Sequence, residues 1–517
     1  MDQRTQPDES SEYVIFRSRE CGLGELVASF VTWSGHAPGM ECSPSLQGMV
    51  DQSWQARFAM LILKLLHLVS KVLAAIGEFL EIFLNTVYAN GGLSNLVQKL
   101  LTGRGIIIPD EDSDSYWSVI GFLDPRTDLL VHQLEDQVAS HFVSDPPGSK
   151  LMADVCMMAS KLAYENSKII RKIITNEWKM HVVDIYECIN KNEPTNPTQV
   201  LIFMDRAVDA QAVFVVFRGT MPFNASDWST DFDFSWYLLP GIGRVHVGFL
   251  EALSLVDRHD MDSFTRMKDN VAKTRASGNA TSSSKHTPAS GLIEAVTLGD
   301  QDQDHGQDKG KPLFAYDTAC DELKVLLRAH RNAKVYVTGH SLGGALATVF
   351  TTILFHNKEN TITGKLGALY TFGQPRVGDK EFAATMTSKL NGADNRFFRV
   401  VYSADLIPRV PFDDFLFQFK HIEPCFFYTS FYTKMIVKEE PNKNYFNPFY
   451  YIFNHAVAVW ELLQSFVLHF RYGDNYRESS SSTVLRLVGL FFPGVSAHSP
   501  VNYVNSVRLG PAMLDTK

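Results

Sequence analysis

The chain has 517 residues, 45% hydrophobic and 20% charged, with a formal net charge of −9. That mix buries a core, so it excludes a disordered or fibrous chain, and the acidic balance speaks against a general nucleic-acid binder. Six cysteines, none in a CxxC pair, support neither a disulfide framework nor a thiolate zinc site, and a mean hydropathy of −0.08 excludes a polytopic membrane protein.

The chain opens with MDQRTQPDESSEY, which is polar and acidic. A secretory signal needs a basic start and an apolar stretch directly after it, so synthesis on the cytosolic side is expected. The sequons at Asn224 and Asn279 are then expected to stay unmodified, and the final LDTK is not a lipidation box. Residues 1–56 read as a polar N-terminal region.

From Arg57 to Val87 the chain reads RFAMLILKLLHLVSKVLAAIGEFLEIFLNTV. Arg57, Lys64, Lys71 and Glu78 recur every seven residues, so on a helix they form one stripe, which Glu81 and Asn85 extend. A narrow charged stripe among Leu, Ile, Val, Phe and Ala suits a lipid–water interface. Charges at the middle of a bilayer cost roughly 2.5–3.5 kcal/mol each, which argues against a span. The other readings are a core helix with its stripe toward solvent and a true span. LSNLVQKLL (93–101) repeats the character after a Gly-Gly break, so 57–101 reads as an amphipathic, lipid-associating helical segment.

Beyond it, 102–517 reads as one α/β domain. Strand-like runs cover Lys179–Tyr186, Gln199–Met204, Ala212–Phe217, Lys334–Thr338, Gly367–Thr371 and Phe397–Val401, with helical patterns at Ala315–Arg331 and Leu342–His356. This alternation implies a mostly parallel sheet with helices on both faces. Thr265–Leu313 contains no aromatic residue and is dominated by Ser, Thr, Asp, Gln, Gly and Lys, so it is expected to be a disordered insertion into a single sheet.

Residues 334–350 read KVYVTGHSLGGALATVF: a strand, then Gly339-His340-Ser341-Leu342-Gly343, then a helix of small residues. This is G-x-S-x-G in the strand–turn–helix setting of a nucleophile elbow. The sharp turn lifts the Ser341 hydroxyl above the sheet edge. It also crowds the positions two before and two after against backbone, where only very small residues fit. The helix start offers unpaired N–H groups to a developing oxyanion.

In this fold the partners follow the serine in the order acid, then histidine. Asp405 lies just past the strand FRVVY, on the edge where the elbow emerges. Asp379 looks like a helix N-cap, and Asp413 and Asp414 like solvated loop charges. His421, His455, His469 and His498 all follow Asp405; His455 and His469 sit in aromatic-rich helical stretches, and His498 in a turn entering a short helix. His498 is chosen on chain order together with the resemblance below. The oxyanion hole takes one N–H from Leu342 and a second donor from the loop after an earlier strand, here Thr220 in AVFVVFRGT; Arg218 reads as a brace for that loop.

FRGT, VHVGFLEAL (245–253), VTGHSLGGALA, YTFGQPRVGD (370–379) and RVVYSADLIPRVPFDD (399–414) together resemble the class 3 lipase family. PFNASDWSTDFDFSWY (222–237), EEPNKNYF (439–446) and PGVSAHSPVNYVNSVRLG (493–510) are similar to the plant oil-body triacylglycerol lipases within it. The resemblance implies an α/β-hydrolase fold, no metal or organic cofactor, a Ser341–His498–Asp405 triad, and an oxyanion hole of Thr220 and Leu342. It implies a serine hydrolase releasing fatty acids from acylglycerol lipid at a lipid droplet or membrane surface. The expected place is the cytosolic side of the droplet surface, with the endoplasmic reticulum or another membrane as the alternative.

By the same resemblance, Phe223–Leu239 occupies the lid position, with Trp228, Phe232, Phe234 and Trp236 as its aromatic face; ordinary core aromatics are the other reading. The aromatic run from Phe426 to Phe453 and the apolar helix that follows read either as a lipid-contacting belt or as a cap over 426–470. A phospholipase A1 or galactolipase would use the same triad, and a catalytically dead droplet coat protein is the rival from another class. A homo-oligomer is left open, and no nucleic-acid partner is expected.

Overall fold

The computed structural model describes residues 12–32, 37–130, 145–190, 197–222, 233–267, 312–392, 396–411, 413, 418–443, 445, 448–473 and 476–514. Its strands are β1 (Tyr13–Phe16), β2 (Met40–Cys42), β3 (His181–Cys188), β4 (Thr198–Met204), β5 (Ala212–Phe217), β6 (Trp236–Leu239), β7 (Gly243–His246), β8 (Lys334–His340), β9 (Leu366–Phe372), β10 (Phe397–Tyr402), β11 (Cys425–Tyr428) and β12 (Lys434–Val437). Eight of them form the main sheet in the order β12-β11-β10-β9-β8-β5-β4-β3. The pairings from β5 through β8, β9 and β10 to β11 are parallel, and the outer pairings are antiparallel. Every strand read from the sequence forms within about two residues of its expected ends; all but the half-buried edge strand β3 are covered on both faces, as their apolar, β-branched character requires.

Side-chain alternation divides the core between the two faces. Val213, Val215, Phe217, Val335 and Val337 pack on one side, beneath the helices Ala315–Ala329 and Leu342–His356. Phe214, Val216, Tyr336, Tyr370 and Phe398 pack on the other, with the helices Lys150–Leu162 and Pro500–Leu509. The expected layering of helices on both faces is therefore what forms. Strand β5 pairs in parallel with β8, so the chain on either side of the inserted stretch belongs to one sheet. The stretch itself lies almost wholly outside the described residues, which stop at 267 and resume at 312.

A second sheet, β2-β1-β6-β7, is antiparallel and was not read from the sequence. Strand β1 is buried along its length and pairs with β6, Tyr13 opposite Tyr237. Residues 1–56 are thus not simply a polar leader: Val14 and Phe16 lie in a small core with Met60, Leu63, Phe234 and Trp236. Each such side chain contributes roughly 1.5–3 kcal/mol of burial.

That core holds one end of the long apolar helix. Helices outside the hydrolase core include α1 (Leu23–Thr32), α2 (Trp54–Ala89), α3 (Leu93–Thr102), α4 (Val119–Leu123), α5 (Pro448–Tyr472) and α6 (Ser480–Gly489). Helix α2 starts on a Ser53 cap. Its polar stripe faces the protein at both ends. Buried Arg57 donates to the Ser29 and Asp51 carbonyls at 3.0 and 2.6 Å, Lys64 donates to the Ser18 carbonyl at 3.2 Å, and Asn85 exchanges two hydrogen bonds with the Trp117 backbone. Between these moorings Leu68, Val72, Ile76 and Phe79 are exposed, and 17% of the most apolar 18-residue window is buried. The core-helix alternative required the opposite orientation. By length and composition α2 is also long enough to cross a membrane.

Candidate active site

Strand β8 ends in the elbow. Ser341 has φ +58° and ψ −132°, a left-handed conformation that a non-glycine residue holds only when its surroundings impose it. Two glycines make the turn possible. A Cβ on Gly339 would lie 2.2 Å from the Gly343 carbonyl group, and one on Gly343 would lie 2.1 Å from the Phe217 oxygen of β5. The Ser341 amide is tied to β9 by donating to the Phe372 carbonyl at 2.9 Å. The exclusion of larger residues read from the motif has its atoms here.

Asp405 sits in the turn after β10, fully buried. Its amide donates to the Tyr402 carbonyl at 3.0 Å, and its Oδ1 accepts from the Ile407 amide at 2.9 Å. His498 closes the turn before the Pro500 helix, its amide donating to the Gly494 and Val495 carbonyls. These three elements converge. His498 Nε2 is 2.8 Å from Ser341 Oγ, and His498 Nδ1 is 2.8 Å from Asp405 Oδ2. An ionised carboxylate only accepts, so Nδ1 carries the proton and Nε2 is left as the base toward the hydroxyl. Ser341 is 2% exposed and His498 8% exposed, so water has little access to the group.

The other candidates lie elsewhere. Asp379 caps the helix Lys380–Leu390, accepting from the Phe382 amide at 2.9 Å. Asp413 is ion-paired with Lys420 and Lys443 rather than simply solvated, which holds its carboxyl below the usual range, and Asp414 lies outside the described residues. Buried His421 meets the Pro408 carbonyl at 2.6 Å and faces the Arg376–Glu440–Arg399 cluster; burial and Arg399 push its pKa well down. His455 and His469 lie on α5.

Around the serine, Leu342 is the first residue of its helix, so its N–H has no intrahelical partner. Thr220 is buried, and its hydroxyl has no hydrogen-bond partner among the described residues. Arg218 braces the loop as expected, donating to Gln199 and to the Pro197 carbonyl. Of the four aromatic residues assigned to a lid face, Trp228 and Phe232 lie outside the described residues. Phe234 and Trp236 correct that reading. Both are buried in the small core, where Trp236 is a β-strand residue under the Arg244 guanidinium, so core aromatics describes these two.

Two tyrosines were missed. Tyr503, one turn into the final helix, donates to Asp405 Oδ2. Tyr164 lies 2.9 Å from His340 Nδ1, and His340 Nε2 lies 3.1 Å from the His498 carbonyl. A carbonyl only accepts, so His340 donates from Nε2 and accepts a hydrogen bond from the Tyr164 hydroxyl at Nδ1. Burial, helped by nearby His498, pushes the His340 pKa well below its ordinary value and keeps the ring neutral. His340, first noted only as an elbow residue, thereby braces the backbone of His498. No sequence signal marks Tyr164; Tyr503 follows His498 by five positions, which places it one helical turn on. Among the described residues no group of three or more His, Cys, Asp or Glu could hold a metal.

Residues 214–415 match the family model for Lipase (class 3). "Triacylglycerol lipase OBL1" of Nicotiana tabacum is 40% identical over 486 residues, covering 89% of this chain and 84% of the relative. Its namesake in Arabidopsis thaliana is 39% identical over 468 residues, covering 89% and 86%. Among solved structures, the Rhizomucor miehei lipase–propeptide complex aligns at a TM-score of 0.35 with 17% identity, over 62% of this chain and 85% of that one.

Proposed function

Since the chain belongs to the class 3 lipase family, a group of α/β-hydrolase enzymes, we propose that Ser341, His498 and Asp405 are its catalytic triad and triacylglycerol its substrate. The observation that carries the reading is the pair of 2.8 Å contacts running from Ser341 Oγ through the His498 ring to Asp405 Oδ2.

His498 Nε2 takes the Ser341 proton as Oγ attacks an ester carbonyl, and Asp405 holds the ring tautomer and stabilises the imidazolium. Donors from Leu342 and Thr220 stabilise the tetrahedral oxyanion. Each donor of this kind is worth roughly 10²–10³ in rate. The imidazolium then protonates the departing glycerol oxygen and the acyl group stays on Ser341. Water, deprotonated by the same imidazole, attacks the acyl carbon and releases the fatty acid.

The enzyme works at a lipid-droplet surface on its cytosolic side. Supporting this are the exposed apolar sides of α2 and the similarity to relatives named as triacylglycerol lipases. The test is fatty-acid release from emulsified triolein and from phospholipid vesicles, by the full chain and by Ser341→Ala. Release from triolein that Ser341→Ala abolishes is expected. Activity surviving in Ser341→Ala would remove the triad assignment, and a preference for the vesicles would make the enzyme a phospholipase.

A further inference from the structure

We propose that α5 and α6 form a second lipid-docking face, separate from α2, that seats the His498 side of the enzyme on the lipid surface. The inference rests on the lipase reading above.

A helix on the surface of a water-soluble protein turns its apolar side inward and its polar side outward. Helix α5 does the reverse. Asn454, Glu461, Gln464 and Ser465 are buried, whereas Phe453, Val459, Leu463, Phe466, Val467 and Phe470 are exposed. Helix α6 repeats the inversion: Ser482 and Arg486 are buried, while Val484, Leu487 and Val488 face out. After α6 the chain continues through Phe491 and Phe492, 74% and 66% exposed, six or seven positions before His498.

The orientation is fixed from inside. Arg486 pairs with Glu478 at 2.5 Å, lies 3.8 Å from Glu461 of α5, and donates to Asn502 Oδ1 of the final helix at 2.9 Å. Asn502 in turn donates to the Ser496 carbonyl at 2.8 Å, two residues before His498. Rolling either helix to hide its apolar side would break this buried ionic group and leave a charge without its partner, which is strongly destabilising.

A hydrocarbon surface is the occupant that fits. Between Tyr450 and Phe470 the only Asp, Glu, Lys or Arg is Glu461, and between Ser480 and Val495 the only one is Arg486; both are buried. The outward sides therefore carry no Asp, Glu, Lys or Arg, which suits uncharged acyl chains; their titratable side chains are the exposed His469 and the half-buried His455. Tyr450 and Tyr451 stand at one end of α5 and Arg471 at the other, residues suited to a headgroup layer. The face is also continuous with the surface a lipase turns to its substrate. It leads directly into the His498 turn, and α6 packs on α4, where Ser479 donates to the Phe122 and Leu123 carbonyls. Tyr88 of α2 meets Phe122 at 6.2 Å, so the largely buried α4 packs between α6 and α2 and fixes the two exposed faces relative to each other. The exposed apolar side chains run over two adjacent helices, one about 37 Å long at 1.5 Å per residue, and contiguous exposed apolar patches mark interaction sites.

The experiment compares the full chain with two sets of outward substitutions, Phe466→Ser/Val467→Ser/Phe470→Ser on α5 and Phe491→Ser/Phe492→Ser after α6. Each is assayed on a triolein emulsion coated with phosphatidylcholine and on dissolved p-nitrophenyl butyrate, and floated with phosphatidylcholine vesicles. Both sets are expected to lose at least tenfold in emulsion rate, to stay within twofold on the dissolved ester, and to lower the floated fraction with α2 unaltered. Emulsion rates within twofold of the parent overturn the proposal. So does equal loss on both substrates in both sets, or a dimer in the parent that either set turns into monomer without slowing emulsion hydrolysis. Failure of the lipase reading itself looks different: the parent would release no fatty acid from triolein, while flotation would still report the face.

Discussion

Tyr503 and His498 donate to the same oxygen of Asp405, the phenol from one turn into the last helix and the imidazole from the turn before it. The other carboxylate oxygen accepts from the Ile407 amide, so the group is held on three sides. Burial and the neighbouring carboxylate push the Tyr503 pKa well up, which keeps its hydroxyl a donor across the working range. Tyr503→Phe keeps the ring and removes only this bond. Hydrogen bonds to charged groups are worth roughly 1.5–3 kcal/mol, and only part of that is felt in the transition state. A fall in kcat of about tenfold with KM unchanged is expected on a dissolved ester; an unchanged kcat would mean that Asp405 needs no third restraint.

Thr220 carries a buried hydroxyl with no partner among the described residues, an arrangement that costs stability until something accepts from it. Thr220→Val is nearly isosteric and removes it. We expect kcat to fall by about 10²-fold while the melting temperature holds or rises, and Thr220→Ser to retain most of the rate. Full activity in Thr220→Val would leave the backbone amide as that loop's whole contribution.

The elbow has no room at its second glycine. A methyl group at residue 343 would meet the Phe217 oxygen at 2.1 Å, backbone that cannot turn aside as a flexible side chain would. Gly343→Ala is therefore expected to destabilise the fold by several kcal/mol, within the range of overpacked cores. The measurement is denaturant unfolding, and a loss under about 0.5 kcal/mol, an ordinary surface effect, would contradict this account.

Acid weakens the small core. Burial pushes the His246 pKa down to about 4 from 6.5, against the pull of Asp233. Between those values the unfolded chain binds a proton that the folded chain refuses, so stability falls as pH drops from 6.5 to 4. At about 1.4 kcal/mol per pH unit, His246 contributes on the order of 3 kcal/mol to that fall. Glu165 acts in the opposite sense. Burial raises its pKa to about 7 from 4.5, so folding is penalised as pH rises through that window. Melting temperatures across pH 4–7 for the parent and His246→Gln isolate the histidine, because Glu165 is common to both. The variant should show the shallower acid decline; parallel curves would refute the assignment.

What could be read from sequence was local or ordered along the chain. The elbow is a contiguous strand, turn and helix, and Asp405 and His498 follow from the order in which this fold spends its residues. Tyr164 was not legible because it reaches His340 only across 176 positions of folded chain. Strands β1 and β6, YVIF and WYLL, are four apolar residues each, too short to show a period of two, so the sequence does not mark β1 and leaves Trp236 resembling a lid aromatic. The stripe on α2 was visible, but which way it turned was not. Its acceptors are backbone carbonyls of Ser29, Asp51 and Trp117, whose positions no side-chain pattern records.

Strand β1 pairs with nearby β2 on one edge, but its other edge meets the β6 region over a gap of 219 positions, the separation between Phe16 and Ser235. At roughly 5–20 residues per second of synthesis, that second edge waits some 10–40 s for β6 to leave the ribosome. Throughout the wait an unpaired edge and a greasy 36-residue helix are already outside the tunnel. Apolar surface and an unpaired edge left open for that long are the features by which a nascent chain aggregates, so the order of synthesis exposes this fold before any enzyme exists.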